Sequence, residues 1–271
     1  NPQIQKQVSE LQGIRTFVLL LSSPFMTDLV KVHVAHTLSM VLRNLRNRIT
    51  MRRENGILAL VRLLEGDPLA ELISTVCAAL AQCSANERNR CLVQQYGTVS
   101  YLIRFLQTSD LDVLVSTVQL IKELVLDPVA LGELQGGGAF PLLLTMVASK
   151  DDKLSLPAIE TIYRAANDET TRVAIAQNSG MSSLLQCLNN PDVAIVKMAA
   201  ATIAGCARSP LNAQALNEVD GITTIVSLLH HPTGDVKINA AGALWSCCSV
   251  SAKSRSLAAF GAQTALKMLT G

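Results

Sequence analysis

Glycines followed by an apolar or small residue recur along this 271-residue chain as Gly13-Ile14, Gly56-Ile57, Gly97-Thr98, Gly138-Ala139, Gly180-Met181, Gly221-Ile222 and Gly261-Ala262. The intervals are 43, 41, 41, 42, 41 and 40 residues. A beat of this length held from end to end is the mark of one supersecondary unit copied and stacked. Most of these glycines lead into an apolar block: LALVRLL at 58–64, SYLIRFL at 100–106, FPLLLTM at 140–146, SSLLQCL at 182–188 and TTIVSLL at 223–229. Its apolar positions recur at three and four, which predicts an amphipathic helix. A polar link follows: EGDP at 65–68, TSD at 108–110, SKDD at 149–152, NNPD at 189–192 and HPTGD at 231–235. Such residues break one helix and cap the next. A longer Ala-rich helix then runs over 74–86, 116–127, 157–168, 198–209 and 239–250. One unit cannot bury its apolar face alone, so neighbours must stack into a continuous core. The recurring glycine has two readings, a left-handed cap ending a short first helix or a sharp turn between helices.

Composition agrees with an all-helical chain. Aromatic residues are only 3%, against the aromatic-rich strands of a sandwich or barrel, and 49% apolar with 16% charged residues excludes a charge-rich disordered tail. A net charge of +2 is too small for nucleic-acid binding by bulk electrostatics. The seven cysteines at 77, 83, 91, 187, 206, 247 and 248 contain no C-x-x-C and sit mostly in apolar helical patterns. They read as small buried hydrophobes of a reducing compartment. No secretory signal is visible. The run Phe17-Val18-Leu19-Leu20-Leu21 is far short of the ~20 residues of a membrane span.

A short helix, a glycine, a second helix and a longer third helix every 41 residues resembles the armadillo repeat family, across essentially the whole chain. HEAT repeats share the period but typically lack the glycine hinge. The resemblance implies an all-α right-handed superhelix, or solenoid, of six repeats plus a partial seventh. We divide it at about 1–47, 48–86, 87–127, 128–168, 169–209, 210–250 and 251–271, as one armadillo domain. The chain opens on Asn1 and stops inside an apolar pattern, as expected of a piece of a longer protein.

The resemblance also implies a concave groove lined by the third helices, where family members commonly bind an extended partner segment. In register, the position often Asn in the family falls on Met40, Gln82, Glu123, Arg164, Gly205 and Ser246. The position often Trp, one turn earlier, falls on His36, Ala78, Gln119, Glu160, Ala201 and Gly242. The sequence departs from the Trp and Asn ladders of nuclear import adaptors at every repeat, and its only tryptophan, Trp245, lies one residue before the ladder. It also lacks the row of Lys and Arg with which some armadillo proteins grip long acidic partners. What remains is a polar patch formed by Gln82, Gln119, Glu123, Glu160 and Arg164, with His36 at its edge. We expect the register to bring Glu123 near Arg164. The alternative is a solvated surface pair contributing about 0–1 kcal/mol.

A second candidate is the run Arg43, Arg46, Arg48, Arg52 and Arg53. Residues 1–60 carry a net +5, residues 61–180 a net −5 and the remainder +2. A basic end beside an acidic middle could seat an acidic partner. No aromatics interleave for base stacking, so nucleic acid is not expected.

Chemistry is harder to find. His33 and His36 lie three apart and His230-His231 close a second helix, but no Cys, Asp or Glu completes a metal site locally. Gly136-Gly137-Gly138 lacks the G-K-[ST] of a phosphate loop and coincides with the hinge glycine of repeat four. No nucleophile elbow and no carboxylate pair in an apolar pocket appears. Asp151-Asp152 reads as a helix cap. We expect a non-catalytic interaction scaffold without cofactors, taking an extended protein segment along its third helices. The alternatives are a substrate-recruiting or autoinhibitory arm of a larger enzyme, such as a ubiquitin ligase, and a part of a cytoskeletal or ciliary assembly. The expected location is cytoplasmic, with nuclear or cytoskeletal and ciliary sites open, and no membrane partner is expected. Leu266 and Leu269 would leave an apolar end through which the isolated chain self-associates.

Overall fold

The computed structural model describes residues 2–252 and Ser256; Gly261, Ala262, Leu266 and Leu269 lie outside the described residues. Every regular element among the described residues is helical, and the contacts divide the chain into two compact units, Asn1–Ala139 and Phe140–Gly271. The first holds α1 (Pro2–Glu10), α2 (Gly13–Ser22), α3 (Asp28–Val41), α4 (Leu45–Arg53), α5 (Gly56–Arg62), α6 (Ala70–Ser84), α7 (Glu87–Gln95), α8 (Thr98–Phe105), α9 (Leu111–Leu124) and α10 (Pro128–Gly136). Helix α11 (Ala139–Val147) begins at the division. The second unit continues with α12 (Asp152–Ala165), α13 (Glu169–Gln177), α14 (Gly180–Cys187), α15 (Val193–Cys206), α16 (Pro210–Glu218), α17 (Gly221–Ser227), a 3-10 turn at Leu228–His230 and α18 (Gly234–Val250). The order is short, short, long, six times over.

Within each unit the long helices stack on one another, α3 on α6 and α6 on α9 in the first, α12 on α15 and α15 on α18 in the second. Their inward faces carry the fully buried Leu38, Leu80, Leu120 and Ile121, and in the other unit Ile159, Ile162, Ile203 and Cys206. Each such large apolar side chain contributes about 1.5–3 kcal/mol by leaving water. The long helices start four to five residues before the Ala-rich segments that announced them: Ala70 rather than Ser74, Leu111 rather than Ser116, Val193 rather than Met198. For α9, α12 and α15 the cause is a capping aspartate at the end of the link, whereas α6 starts after Leu69 without a side-chain cap. Asp110 Oδ1 accepts from Val113 N at 3.0 Å, Asp151 Oδ1 from Lys153 N at 2.9 Å and Asp192 Oδ1 from Ala194 N at 2.8 Å. Each thereby satisfies an amide that the helix itself cannot.

The recurrent glycine resolves into two different devices. One residue per repeat, just before the second helix, is left-handed: Gln12, Asn55, Gly97, Gly138, Ser179 and Asp220. Only at 97 and 138 is that residue the glycine itself. At 56, 180 and 221 the glycine is instead the first residue of the helix, packed against side chains. A Cβ on Gly56 would lie 2.5 Å from Met51 Sδ and 2.7 Å from Val18 Cγ2. Both devices turn the chain between the first and second helices, so they share one period.

Candidate functional site

The sequence-expected groove residues all lie on third helices. In the first unit His36 on α3 and Gln119 on α9 are exposed, while Gln82 on α6 and Glu123 on α9 are half-buried. In the second unit Glu160 and Arg164 are half-buried one turn apart on α12. Glu123 and Arg164 therefore belong to different units. Helices α6 and α9 are packed together, so Gln82 and the Gln119–Glu123 pair occupy neighbouring helices of one unit.

The second unit carries a feature that the repeat register does not mark. A groove of about 490 Å³ opens across α12, α15 and α18. Its floor is small, with Ala201, Ala204, Gly205 and Gly242, and its rim holds Tyr163, Ile238 and Trp245. These three are large and exposed: Tyr163 by 46%, Ile238 by 69% and Trp245 by 77%. Arg208 is the only formally charged residue of the lining. Its Nε donates to Gly205 O at 3.1 Å and its Nη2 to Asn167 Oδ1 at 3.2 Å, both neutral acceptors. Small residues are what create the groove, since larger side chains on α15 and α18 would fill it. The signal available in the sequence was a lone Trp on a helix whose neighbouring positions are Gly and Ala.

The arginine run separates by function. Arg48 is half-buried and its Nη2 donates to Arg43 O at 3.3 Å. The equivalent Arg90 donates to Ser84 O at 3.2 Å, and Arg172 to Ala166 O and Asn167 O, each at 2.8 Å. These arginines on first helices tie off carbonyls at the end of the preceding third helix. Arg52, also half-buried, donates to Asn89 Oδ1 at 3.0 Å and Asn86 Oδ1 at 3.4 Å. Arg43, Arg46 and Arg53 are exposed. The candidate basic patch thus comprises three outward side chains and two committed to the fold.

The buried thiols have little nucleophilic character. Burial pushes Cys77, Cys83 and Cys206 up to about 12, so each is protonated at neutral pH. Cys91 donates to Asp127 Oδ2 at 3.3 Å, and that bond to a carboxylate raises its pKa as well. No three His, Cys, Asp or Glu side chains among the described residues converge to hold a metal ion. No described helix is long and apolar enough to cross a membrane.

The comparisons with known proteins agree with this architecture. An engineered protein of known structure superposes with a TM-score of 0.89 at 22% identity, over 100% of this chain and 67% of the other. A designed armadillo repeat protein superposes at 0.79 and 21% identity, covering 86% and 99%. Another, crystallised in complex with the peptide (KR)4, superposes at 0.77 and 20% identity, again covering 86% and 99%. The chain has the armadillo-repeat solenoid fold, an all-α array of stacked three-helix units. Among curated proteins, outer dynein arm-docking complex subunit 2 of Bos taurus is 30% identical over 115 residues, which is 42% of this chain and 11% of that protein. The aligned stretch is thus a small part of that relative's length. No family model matches.

Proposed function

We propose that this protein is a non-catalytic interaction scaffold that binds an extended protein segment along the exposed face of its third helices. The observation that carries the reading is the groove across α12, α15 and α18, where exposed aromatic and aliphatic side chains rim a floor of Ala and Gly. A shallow, open surface of this kind suits a linear segment making many small contacts rather than an enclosed small molecule. The peptide-bound designed neighbour supports the reading by analogy of fold. On the third helices we assign Gln82, Gln119 and Glu123, with His36, in the first unit, and Glu160 and Arg164 in the second, as polar groups that hydrogen-bond a ligand's main chain. Arg164 is the anchor, because arginine is over-represented at binding hot spots.

The test is capture of partners from cell lysate by the wild-type chain and by the Glu123→Ala/Arg164→Ala variant, once circular dichroism has shown both equally helical. Partners lost from the variant alone support this assignment. Equal capture moves binding away from these polar groups.

A second reading, an assembly component of a ciliary docking complex, is favoured by the 30% identity to outer dynein arm-docking complex subunit 2. Association with axonemal docking proteins in ciliated-cell extracts would favour it over a soluble signalling partner.

A further inference from the structure

Resting on the scaffold reading, we infer that the groove of the second unit selects segments that combine an acidic side chain with large apolar ones. The argument begins with charge. Of the residues lining the groove, Arg208 alone is charged, and no carboxylate lines it. Both described bonds of its guanidinium go to neutral oxygens, so its charge has no counter-ion from the groove itself. Lys197, a basic residue on the same stack, is already paired with Asp235 across α15 and α18 at 2.5 Å. A carboxylate entering the groove would therefore meet one uncompensated positive charge, and a guanidinium–carboxylate bond is among the stronger polar contacts available to a peptide. A lysine or arginine in the same place would meet the same positive charge and no acceptor of opposite sign.

The apolar half of the argument is exposure. Ile238 and Trp245 stand on one helix, seven residues apart, with Gly242 between them. That spacing puts both on one stripe of α18, facing the same way. Together with Tyr163 they leave apolar surface in water that a leucine or phenylalanine of a ligand would cover. The preference is thus opposite in charge to the basic peptide held by the designed neighbour. It is centred on a tryptophan one residue away from the ladder position.

Trp245 is the only tryptophan in the chain, so its emission reports on this groove and no other. The probes are the synthetic peptides (Asp-Leu)4, (Lys-Leu)4 and (Asp-Ser)4. We expect a saturable blue shift with (Asp-Leu)4, and affinity lower by about tenfold or more for each of the other two. That factor is what loss of one charge-assisted contact or of the apolar cover gives. Arg208→Gln is expected to weaken (Asp-Leu)4 by about tenfold, and Arg208→Lys to retain part of the binding, with helicity unchanged in both. Equal or tighter binding of (Lys-Leu)4, or indifference to Arg208→Gln, overturns the inference. A random-sequence peptide display on the same chain then separates the two levels. Enriched peptides whose capture survives Trp245→Ser sink this groove while leaving a peptide-binding scaffold in place. No enrichment at all removes the scaffold reading with it.

Discussion

The side-chain amide of Asn212 donates to the main-chain carbonyl of Arg172, 2.8 Å away and one repeat earlier, and also to Cys206 O at 3.2 Å. Asn212 is fully buried, so a single side chain ties two main-chain carbonyls to the interior. The same device occurs in the first unit. Asn47 Nδ2 donates to Gln5 O and Val41 O, each at 2.9 Å, and Asn89 Nδ2 to Arg48 O at 3.1 Å. First helices of successive repeats are thus latched main chain to side chain, independently of the apolar stack formed by the third helices.

Asn212→Ala is expected to lower the stability of the fold by about 1–3 kcal/mol, the cost of orphaning buried acceptors. Asn212→Asp should be worse than Asn212→Ala despite its closer shape. A carboxylate cannot donate, and it would bring a charge to face two carbonyl oxygens. Urea denaturation midpoints of the two variants check the order; an aspartate variant as stable as wild type would mean that the amide does not bridge the repeats.

The left-handed positions lend themselves to a separate comparison. Gln12, Ser179 and Asn55 hold φ values of 55°, 56° and 57° without being glycine. A left-handed L-residue costs roughly 1–2 kcal/mol, and asparagine tolerates it best. Gln12→Gly and Ser179→Gly should therefore stabilise by up to about 1 kcal/mol, and Asn55→Gly by less. Gly56→Ala should do the reverse, since its methyl must displace Met51 and Val18, at a cost of about 1–3 kcal/mol. Thermal unfolding of the four variants under one buffer measures the set.

How far the sequence exposed this architecture depends on what each signal reports. Apolar spacing and a period reported the helices and their stacking, because burial is what period encodes. The capping role of Asp151 was visible for the same reason that its link was: short polar residues compete for free amides. The first turns of the long helices were missed because residues such as Ala70, Glu71, Leu111 and Asp112 are exposed there and carry no apolar register. The latches at Asn47, Asn89 and Asn212, and the arginine caps at Arg48, Arg90 and Arg172, do recur at multiples of about 41 residues. Neither the glycine spacing nor the apolar blocks report them, because they are polar positions on the first helices. Trp245 is offset from the ladder, and its 77% exposure goes with a floor of small residues, Gly242 on its own helix and Ala201, Ala204 and Gly205 on α15. Only the fold brings those together.

Alkaline pH is expected to weaken the fold through its thiols. Cys77, Cys83 and Cys206 have folded pKa values of about 12, raised by burial above the ordinary 9.0. The unfolded chain therefore loses these protons first. The stability they lend is complete below pH 9.0 and declines as pH rises from there toward about 12. Cys77→Ala and Cys206→Ala variants should show a shallower fall in denaturation midpoint across the start of that range than wild type. Identical slopes would place the thiols in contact with water.

The split within the arginine run yields a prediction in which stability and binding part company. Arg43, Arg46 and Arg53 point outward, so replacing all three with Ser should change stability by less than about 0.5 kcal/mol each while reducing any salt-sensitive association with a polyglutamate probe. Arg52 behaves differently because its guanidinium bonds the very side chain, Asn89, that latches α7 to Arg48 O. Arg52→Ala and Asn89→Ala should each destabilise by about 1–3 kcal/mol, and the double variant by clearly less than their sum, since either change alone already disrupts the shared network. Strict additivity in that cycle would show the two residues to be independent. Loss of polyglutamate binding in Arg52→Ala at unchanged stability would return Arg52 to the surface patch.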